Sequence, residues 1–272
     1  MSKTILTLEQ EKEIVDKYLS GKSKNSLKNE YKVSEGTIGR ALKRNNIHIR
    51  QVSETNISKY NINHSFFEKD NINSNSAYIL GLIASDGCVS KVDNCISIEL
   101  KSDDIELLEE VNKILENERP IKTYSREERN DTSKLYFFSK KIKQDLAYFD
   151  IIPNKTYCSV NFVKNIPNKY FIDFIRGFFD GDGCITKCNS TLRWQIDGAS
   201  LETFKEIQNR MLNYGITLKI TKESDKRSTI QKYRLYIYSK NKCREIFNLL
   251  YQNNNELRIK RKYEKFLKLI NE

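Results

Sequence analysis

Long apolar runs and paired metal-binding residues are both missing from this sequence. No stretch of its 272 residues is apolar for long enough to cross a bilayer, and no secretory signal stands at the N-terminus. Only two histidines occur and the six cysteines form no CxxC pair, so the usual spacing of a zinc site is absent. We expect an intracellular, cytoplasmic protein with reduced thiols and no membrane partner, organellar or nuclear if the source is eukaryotic.

Positive charge is what the sequence has in excess. Lys and Arg number 47 against 36 Asp and Glu, which gives a formal net charge of +11. Such a surplus favours a polyanionic partner, most often nucleic acid, although it can also serve only to keep a surface soluble. With 38% hydrophobic residues, the chain is long enough for two or three modest cores.

Residues 1–50 have the pattern of three short helices. Thr7 and Gln10 predict a capping box, a second helix is expected around Lys24 to Tyr31, and Ser34 precedes a third that runs to about Arg44. The inward positions are Ile14, Tyr18, Leu19, Leu27, Ile38, Ala41 and Leu42. The segment resembles the helix-turn-helix of resolvase- and Hin-type recombinases, which implies that its third helix reads DNA. The DNA-facing candidates are Thr37, Arg40, Lys43 and Arg44, and the alternative is a small interaction module with a basic face.

Residues 51–75 are polar and favour a flexible linker, with Phe66 and Phe67 docking it onto the C-terminal region. The remainder is an internal duplication, with one repeat at 76–167 and the other at 168–272. In each repeat the pattern predicts a helix, strands, a helix, strands and a further helix. The fold class is therefore α+β, two pseudo-symmetric repeats preceded by a small all-α domain.

One motif opens each repeat. "YILGLIASDGCVS" begins at Tyr78 and "FIRGFFDGDGCIT" at Phe174, and four residues match at a displacement of 96. These are Gly81, Asp86, Gly87 and Cys88, paired with Gly177, Asp182, Gly183 and Cys184. The glycine after each acid suits a helix-ending cap, but an acid in the last turn of a helix is unfavourable unless a cation is present. Glycine within a helix is costly unless another backbone approaches closely, so the two motif helices should pack through Gly81 and Gly177.

"ILGLIASDG" and "IRGFFDGDG" resemble the paired motifs of the LAGLIDADG homing endonucleases, over the region from Ser76 to the C-terminus. The resemblance implies two αββαββα halves that share a helix interface. It also implies that Asp86 and Asp182 bind divalent metal, Mg²⁺ or alternatively Mn²⁺, with the carbonyls of Ser85 and Gly181 as further ligands. Asp180, at the sixth motif position, is not assigned to the metal.

The resemblance further implies a lysine near each acid. Lys155 in "IIPNKT" suits the first repeat, and Lys260 suits the second, with Arg258, Arg261 and Lys262 as competitors. The strands should lie in the major groove, where base edges can be distinguished. The candidates for DNA contact there are Lys91, Lys101, Lys187, Arg193, Lys219 and Arg234.

The function that we predict is a monomeric, metal-dependent endonuclease that cuts both strands of a long, non-palindromic site in double-stranded DNA and leaves short 3′ overhangs. The alternative is a LAGLIDADG-derived RNA maturase, which would bind RNA, or a non-cleaving DNA-binding regulator. Retention of both Asp86 and Asp182 favours the nuclease. A recombinase is suggested by the helix-turn-helix alone, and no nucleophile cluster supports it.

Overall fold

The structure is a computed structural model that describes residues 6–20, 22–49, 60–125, 130–223, 229–252 and 257–272. Contacts divide the chain into two units, residues 1–55 and 56–272. Among the described residues, no helix combines the length and the apolar character that crossing a membrane requires.

The first unit contains α1 (Leu8–Leu19), α2 (Lys24–Glu30) and α3 (Glu35–Arg44). The capping box is present, since Gln10 N donates to Thr7 Oγ1 over 3.2 Å and Thr7 N donates to Gln10 Oε1 over 2.9 Å. The side chains predicted to face inward are buried, with one exception, and Leu6 is buried as well. Leu19 was predicted to face inward but is 65% exposed, because it ends α1 beyond the turn that packs on the other helices.

The second unit consists of two repeats of the predicted order. The first comprises α4 (Ser74–Asp86), β1 (Gly87–Val89), β2 (Cys95–Lys101), α5 (Ile105–Ile114), β3 (Lys122–Tyr124), β4 (Thr132–Phe138) and α6 (Lys140–Tyr148). The second comprises α7 (Phe171–Asp182), β5 (Gly183–Cys188), β6 (Thr191–Gly198), α8 (Leu201–Met211), β7 (Lys219–Glu223), β8 (Lys232–Tyr238) and α9 (Lys240–Leu250). A last helix, α10 (Lys260–Asn271), was not predicted.

The strands of each repeat form one antiparallel sheet, in the orders β1-β2-β4-β3 and β5-β6-β8-β7. The registers correspond, because Gly87 is opposite Ile98 in the first sheet and Gly183 is opposite Ile196 in the second. Side chains alternate between the faces of a strand, so each sheet has one apolar face in the core and one polar face away from it. The alternating burial along Thr132–Phe138 shows this directly.

Helices α4 and α7 pack against each other through their glycines, as predicted. A Cβ atom at Gly177 would lie 2.0 Å from the Tyr78 carbonyl oxygen, and one at Gly81 would lie 2.2 Å from the Phe174 carbonyl oxygen. The backbones are therefore in contact, at a separation that only glycine permits. This contact joins the two halves of the hydrophobic core.

The glycines that follow the acids are the C-caps of their helices, as predicted, but without the backbone conformation usual for a glycine cap. Gly87 has φ −85° and ψ 154°, and Gly183 has φ −84° and ψ 157°, so neither is a left-handed helix cap. Glycine is needed at both positions because any side chain would be too close to neighbouring atoms. A Cβ at Gly87 would lie 2.5 Å from the Ile83 carbonyl oxygen, and one at Gly183 would lie 2.0 Å from the Phe179 ring. The chain leaves each helix directly into a strand.

Part of the segment predicted to be a flexible linker is packed into the second unit. Phe67 is fully buried, and Ile62 and Ile72 are also in the core. The backbone of residue 63 donates to the Leu115 carbonyl. Phe66 and Phe67 were expected to dock the segment, and Ile62 and Ile72 add two apolar contacts that its polar composition did not indicate. Residues 51–59 lie outside the described residues.

Substituting Gly177 by Ala should lower the free energy of unfolding by more than about 3 kcal/mol, because the new methyl group would meet backbone that cannot rotate away. The matched control is Gly39→Ala in α3, where the Ile49 Cδ1 atom, at 3.9 Å, is the only neighbour that a Cβ would have among the described residues. That control should be neutral or stabilising by up to about 1 kcal/mol. Thermal unfolding compares them, and equal effects of the two variants would contradict close helix packing.

Candidate active site

Asp86 and Asp182 lie at the same end of the helix pair. Each is the last residue of its helix, α4 or α7. The two helices stay in contact to that end, since a Cβ at Gly181 would lie 1.9 Å from Ser85 Oγ and 2.9 Å from Asp86 Oδ2. The glycine contact therefore brings together two carboxylates that are 96 residues apart.

The surroundings of both carboxylates disfavour their charge. Burial raises the pKa of Asp86, opposed by Lys262 and Lys155. Burial and then the charge of Asp86 raise the pKa of Asp182 to about 7, although Asp182 keeps access to solvent at the mouth of the site. Two acids in this setting favour either a shared proton or a bound cation.

Two lysines approach the acids, one from each repeat. Lys155 Nζ donates to the Gly87 carbonyl, and Lys262 Nζ donates to the carbonyl of the equivalent Gly183 over 2.9 Å. Lys262 also donates to the Gly181 carbonyl over 2.7 Å. Burial lowers the pKa of both lysines, and the two acids oppose that effect. The ammonium groups thus bind main-chain oxygens beside the acids.

The structure does not bring Lys260 to the site. Its side chain is 72% exposed and forms an ion pair with Glu106 on the surface. Among its competitors, Arg261 pairs with Asp104, and Arg258 lies over the Tyr263 ring.

A periodicity signal for Lys262 was available in the sequence. Lys262, Phe266 and Ile270 are spaced four apart in α10, and Phe266 and Ile270 are both buried. Residues at this spacing share a helix face. Lys262 was missed as the first choice because the last segment was not interpreted as a helix.

The donor groups at the site suit a hard cation. Carboxylates of Asp86 and Asp182 are present together with nearby main-chain carbonyls, and oxygen ligands of this type are preferred by Mg²⁺ and Mn²⁺. Within the described ranges, no three or more His, Cys, Asp or Glu side chains are grouped as in a self-sufficient metal site. A cation here would need further oxygens, from water or from a phosphate. The Gly181 carbonyl already accepts from Lys262, and Ser85 lies at the helix contact.

A cavity of about 340 Å³ opens beside Asp182. It is lined by Phe162, Phe178, Phe204, Gly198, Ser200 and Lys155, among others. Its walls come from α4, α7 and α8, from the connection between the repeats and from the second sheet. Asp182 is one of the residues that line this recess.

Three of the predicted DNA-contacting residues share the polar face of the second sheet. Arg193 is opposite Tyr238, Arg234 is opposite Asp197, and Lys219 is opposite Tyr236. Arg193 donates to the Tyr238 hydroxyl over 3.0 Å, and Arg234 pairs with Asp197 over 2.7 Å. Sequence reasoning did not single out the aromatic residues of this face, Tyr236 and Tyr238, or their first-sheet counterparts, Tyr136 and Phe138.

The other predicted contacts on the sheets are more scattered. Lys101 ends β2 on the polar face, and Lys91 is exposed between β1 and β2. Lys187 is not on the polar face, because it shares the opposite side of β5 with the buried Ile185; it lies 3.3 Å from Glu272. A one-residue error of register produces such a reversal.

The candidates in α3 are on its outer side. Arg40 and Lys43 are exposed, and Thr37 is half-buried with its hydroxyl against Ser34 Oγ at 2.9 Å. Arg44 is exposed but forms an ion pair with Glu11 of α1. Arg40 and Lys43 are consequently the more available of the four.

The fold and the paired acids define a two-repeat protein of the LAGLIDADG type. The family described as LAGLIDADG-like domain matches residues 73–158 and 172–249, one segment in each repeat. The chain belongs to this family.

Similar proteins include an uncharacterized protein of Methanocaldococcus jannaschii, which is 31% identical over an alignment of 163 residues that covers 54% of each of the two chains. The chain thus matches about half the length of this relative. Among solved structures, the homing endonuclease I-WcaI bound to its DNA recognition sequence matches with a TM-score of 0.51 and 15% identity, over 74% of this chain and 90% of that one. The meganuclease I-SmaMI bound to uncleavable DNA matches with a TM-score of 0.50 and 15% identity, over 71% and 89%. These matches show the shared fold.

Asp182→Asn should stabilise the metal-free protein at pH 8 and have much less effect at pH 5. Folding raises the pKa of Asp182 from 3.8 to about 7. The contribution of Asp182 to the free energy of unfolding is therefore fully present below the unfolded pKa and is lost as the pH rises through the folded pKa. Asparagine carries no charge and avoids that loss. Thermal unfolding in EDTA at both pH values measures it, with Asp103→Asn, at an exposed position, as the control. Equal shifts at the two pH values would contradict the assignment.

Proposed function

We propose that this chain is a site-specific DNA endonuclease that hydrolyses both strands of a long, non-palindromic target in a divalent-metal-dependent reaction. The observation that carries the proposal is the meeting of Asp86 and Asp182 at the end of the glycine-packed helices, each with a lysine bound to the carbonyl of the next residue. One acid and one lysine per repeat suit one cut per strand. A single chain supplies both sets, which supports action as a monomer.

The carboxylates and the lysines of the site have different roles in the proposed reaction. Mg²⁺, or alternatively Mn²⁺, would supply an activated water and charge stabilisation when bound. Asp86 and Asp182 would hold it, and metal binding would require both carboxylates to be ionised. Lys155 and Lys262 lie beside the acids with their charge partly desolvated, which suits them to stabilise negative charge on a phosphate.

The comparisons support a DNA substrate. I-WcaI and I-SmaMI, which share the fold, were both solved on DNA. The net charge of +11 agrees with a polyanionic partner. We assign DNA contact to the polar faces of both sheets. Arg193, Lys219 and Arg234 lie on the polar face of the second sheet, beside exposed or half-exposed aromatic side chains.

The sheet faces of the two repeats differ, so their base contacts should differ as well. The residues opposite each other at one equivalent position are Cys95 and Phe138 in the first sheet and Arg193 and Tyr238 in the second. We further propose that α3 contacts DNA through Arg40 and Lys43. Footprinting should therefore show asymmetric protection about the cuts, with an extension on one side that is lost when residues 1–50 are deleted. Symmetric protection, or a footprint unchanged by the deletion, would contradict this arrangement.

Asp86→Asn and Asp182→Asn should each abolish double-strand cleavage and leave DNA affinity within about threefold, because the substitution preserves shape and removes a metal-binding charge. Target duplexes can be recovered from a randomised library by binding in Ca²⁺, cloned into plasmid, and incubated with protein and Mg²⁺. Linear product from the unchanged chain only is the expected result. A chain that binds the recovered duplexes without cutting them would instead be a non-cleaving DNA-binding protein.

Lys262→Met should slow cleavage by about a hundredfold or more, the usual loss when one stabilising donor is removed from an active site. Lys260→Met should leave the rate within about twofold, because surface ion pairs such as that with Glu106 contribute little. The two substitutions are identical in type and two residues apart. Single-turnover cleavage rates compare them, and a larger effect at Lys260 would reverse the assignment.

A further inference from the structure

Helix α7 carries two buried polar side chains that the active site does not use. Arg176 is 2% exposed and Asp180 is completely buried. They are four residues apart and so lie on the same face of the helix. The equivalent residues of α4, at the same displacement of 96, are Leu80 and Ala84. Burying charge is costly unless it is fully bonded, so the second repeat has a polar cluster where the first has ordinary core.

Asp180 accepts three hydrogen bonds. Tyr78 donates its hydroxyl to Oδ2 over 2.6 Å, and Tyr251 donates its hydroxyl to Oδ1 over 3.1 Å. The third donor is the main-chain N–H of Ile259, 2.9 Å from Oδ2. Both carboxylate oxygens are thus occupied, and each donor comes from a different segment.

Arg176 binds the same region of the chain. Its guanidinium donates to the Leu257 carbonyl over 3.0 Å and to the Leu250 carbonyl over 3.2 Å, and it pairs with Asp173 over 3.0 Å. Together, Arg176 and Asp180 hold residues on both sides of the connection between α9 and α10. On the α9 side these are Leu250 and Tyr251, and on the α10 side they are Leu257 and Ile259.

The bond to Ile259 lies at the start of α10. Ile259 is the residue before Lys260–Asn271, and its own side chain makes no capping hydrogen bond. Lys262 is in the first turn of this helix, three residues after Ile259. Its Nζ reaches the Gly181 and Gly183 carbonyls, so its position depends on the point at which the helix starts.

The first repeat reaches the same result without such a cluster. Ser139 caps α6, and Ser239 caps the corresponding helix α9. Fewer residues lie between Ser139 and Lys155 than between Ser239 and Lys262. Lys155 stands directly after Asn154, whose left-handed backbone (φ 57°) turns the chain. The longer connection of the second repeat is anchored by polar side chains. The first repeat has the apolar Leu80 and Ala84 at the equivalent positions and no such anchors there.

We infer that Asp180 is a positioning residue for Lys262, and that it controls cleavage of one DNA strand and not of the other. Asp180 acts by fixing the main chain at Ile259, with Arg176 holding the flanking carbonyls. The inference rests on the proposed function as far as cleavage is concerned. The structural part of the inference is that Asp180 fixes the first turn of α10, and this part does not depend on any activity.

The test compares cleavage of each strand in single-turnover reactions on a duplex labelled at both ends. Asp180→Asn should slow one strand by about tenfold or more, the same strand that Lys262→Met slows, and change the other by less than about threefold. Tyr251→Phe keeps the bond between Asp180 and Ile259 and should leave both rates within about threefold. Thr203→Val is the control for a lost buried hydroxyl, since Thr203 bonds to Phe162 N and Val160 O instead of to α10.

A second variant covers the case in which Asp180→Asn does not fold. Ile259→Pro removes the donor from the other side of the same bond, at a φ of −77° that proline accepts. It should slow the same strand as Lys262→Met. Equal slowing of both strands by these variants, slowing of the strand that Lys155→Met affects, or no change in either rate would each overturn the inference.

Hydrogen exchange separates this inference from the proposed function. In protein without DNA or metal, Asp180→Asn or Ile259→Pro should speed amide exchange in the first turn of α10 by about tenfold or more, and Lys262→Met should not. If the chain without substitutions cuts no DNA, and these amides lose protection in the variants, the proposed function fails and the positioning role stands. If the amides keep their protection, the positioning role is overturned whatever the cleavage assay shows.

Discussion

The contact between α4 and α7 is the interaction on which the second unit depends. Two backbones lie closer than any side chain would permit, through Gly81 and Gly177. The same contact joins the cores of the two repeats, sets the direction in which both helices end, and places Asp86 beside the main chain of the other repeat at Gly181. Packing in the middle of the helix pair thereby determines which groups meet at its end.

The grouping of charged side chains at the site is unfavourable for the stability of the protein. Two carboxylates are held together where burial raises the pKa of each, and two lysines are partly buried so that the pKa of each is lowered. The lysines bind carbonyl oxygens at the helix ends, where the helix dipole favours a cation. Such a cluster is costly to stability by itself, and a cation and a phosphate bound as in the proposed function would offset that cost.

The repeats agree in plan and differ in how each supplies its lysine. The first repeat uses a connection with a left-handed Asn154, and the second uses an added helix, α10, held by Asp180 and Arg176. The equivalent motif residues Ala84 and Asp180 therefore differ for a structural reason, namely whether a distant segment must be anchored there. A duplicated fold can keep its two acids equivalent while their supports diverge.

The sequence by itself determined the organisation of the chain and the acids. Periodicity and caps predicted the order of the helices and strands, because these signals are local, and the displacement of 96 paired Asp86 with Asp182. The tertiary structure alone decided that Lys262, and not Lys260, reaches the site, that Lys187 is on the opposite face of its strand, and that Ile62 and Ile72 enter the core. Each of these depends on which side of an element faces a partner distant in the chain, and local sequence signals carry little information about that partner.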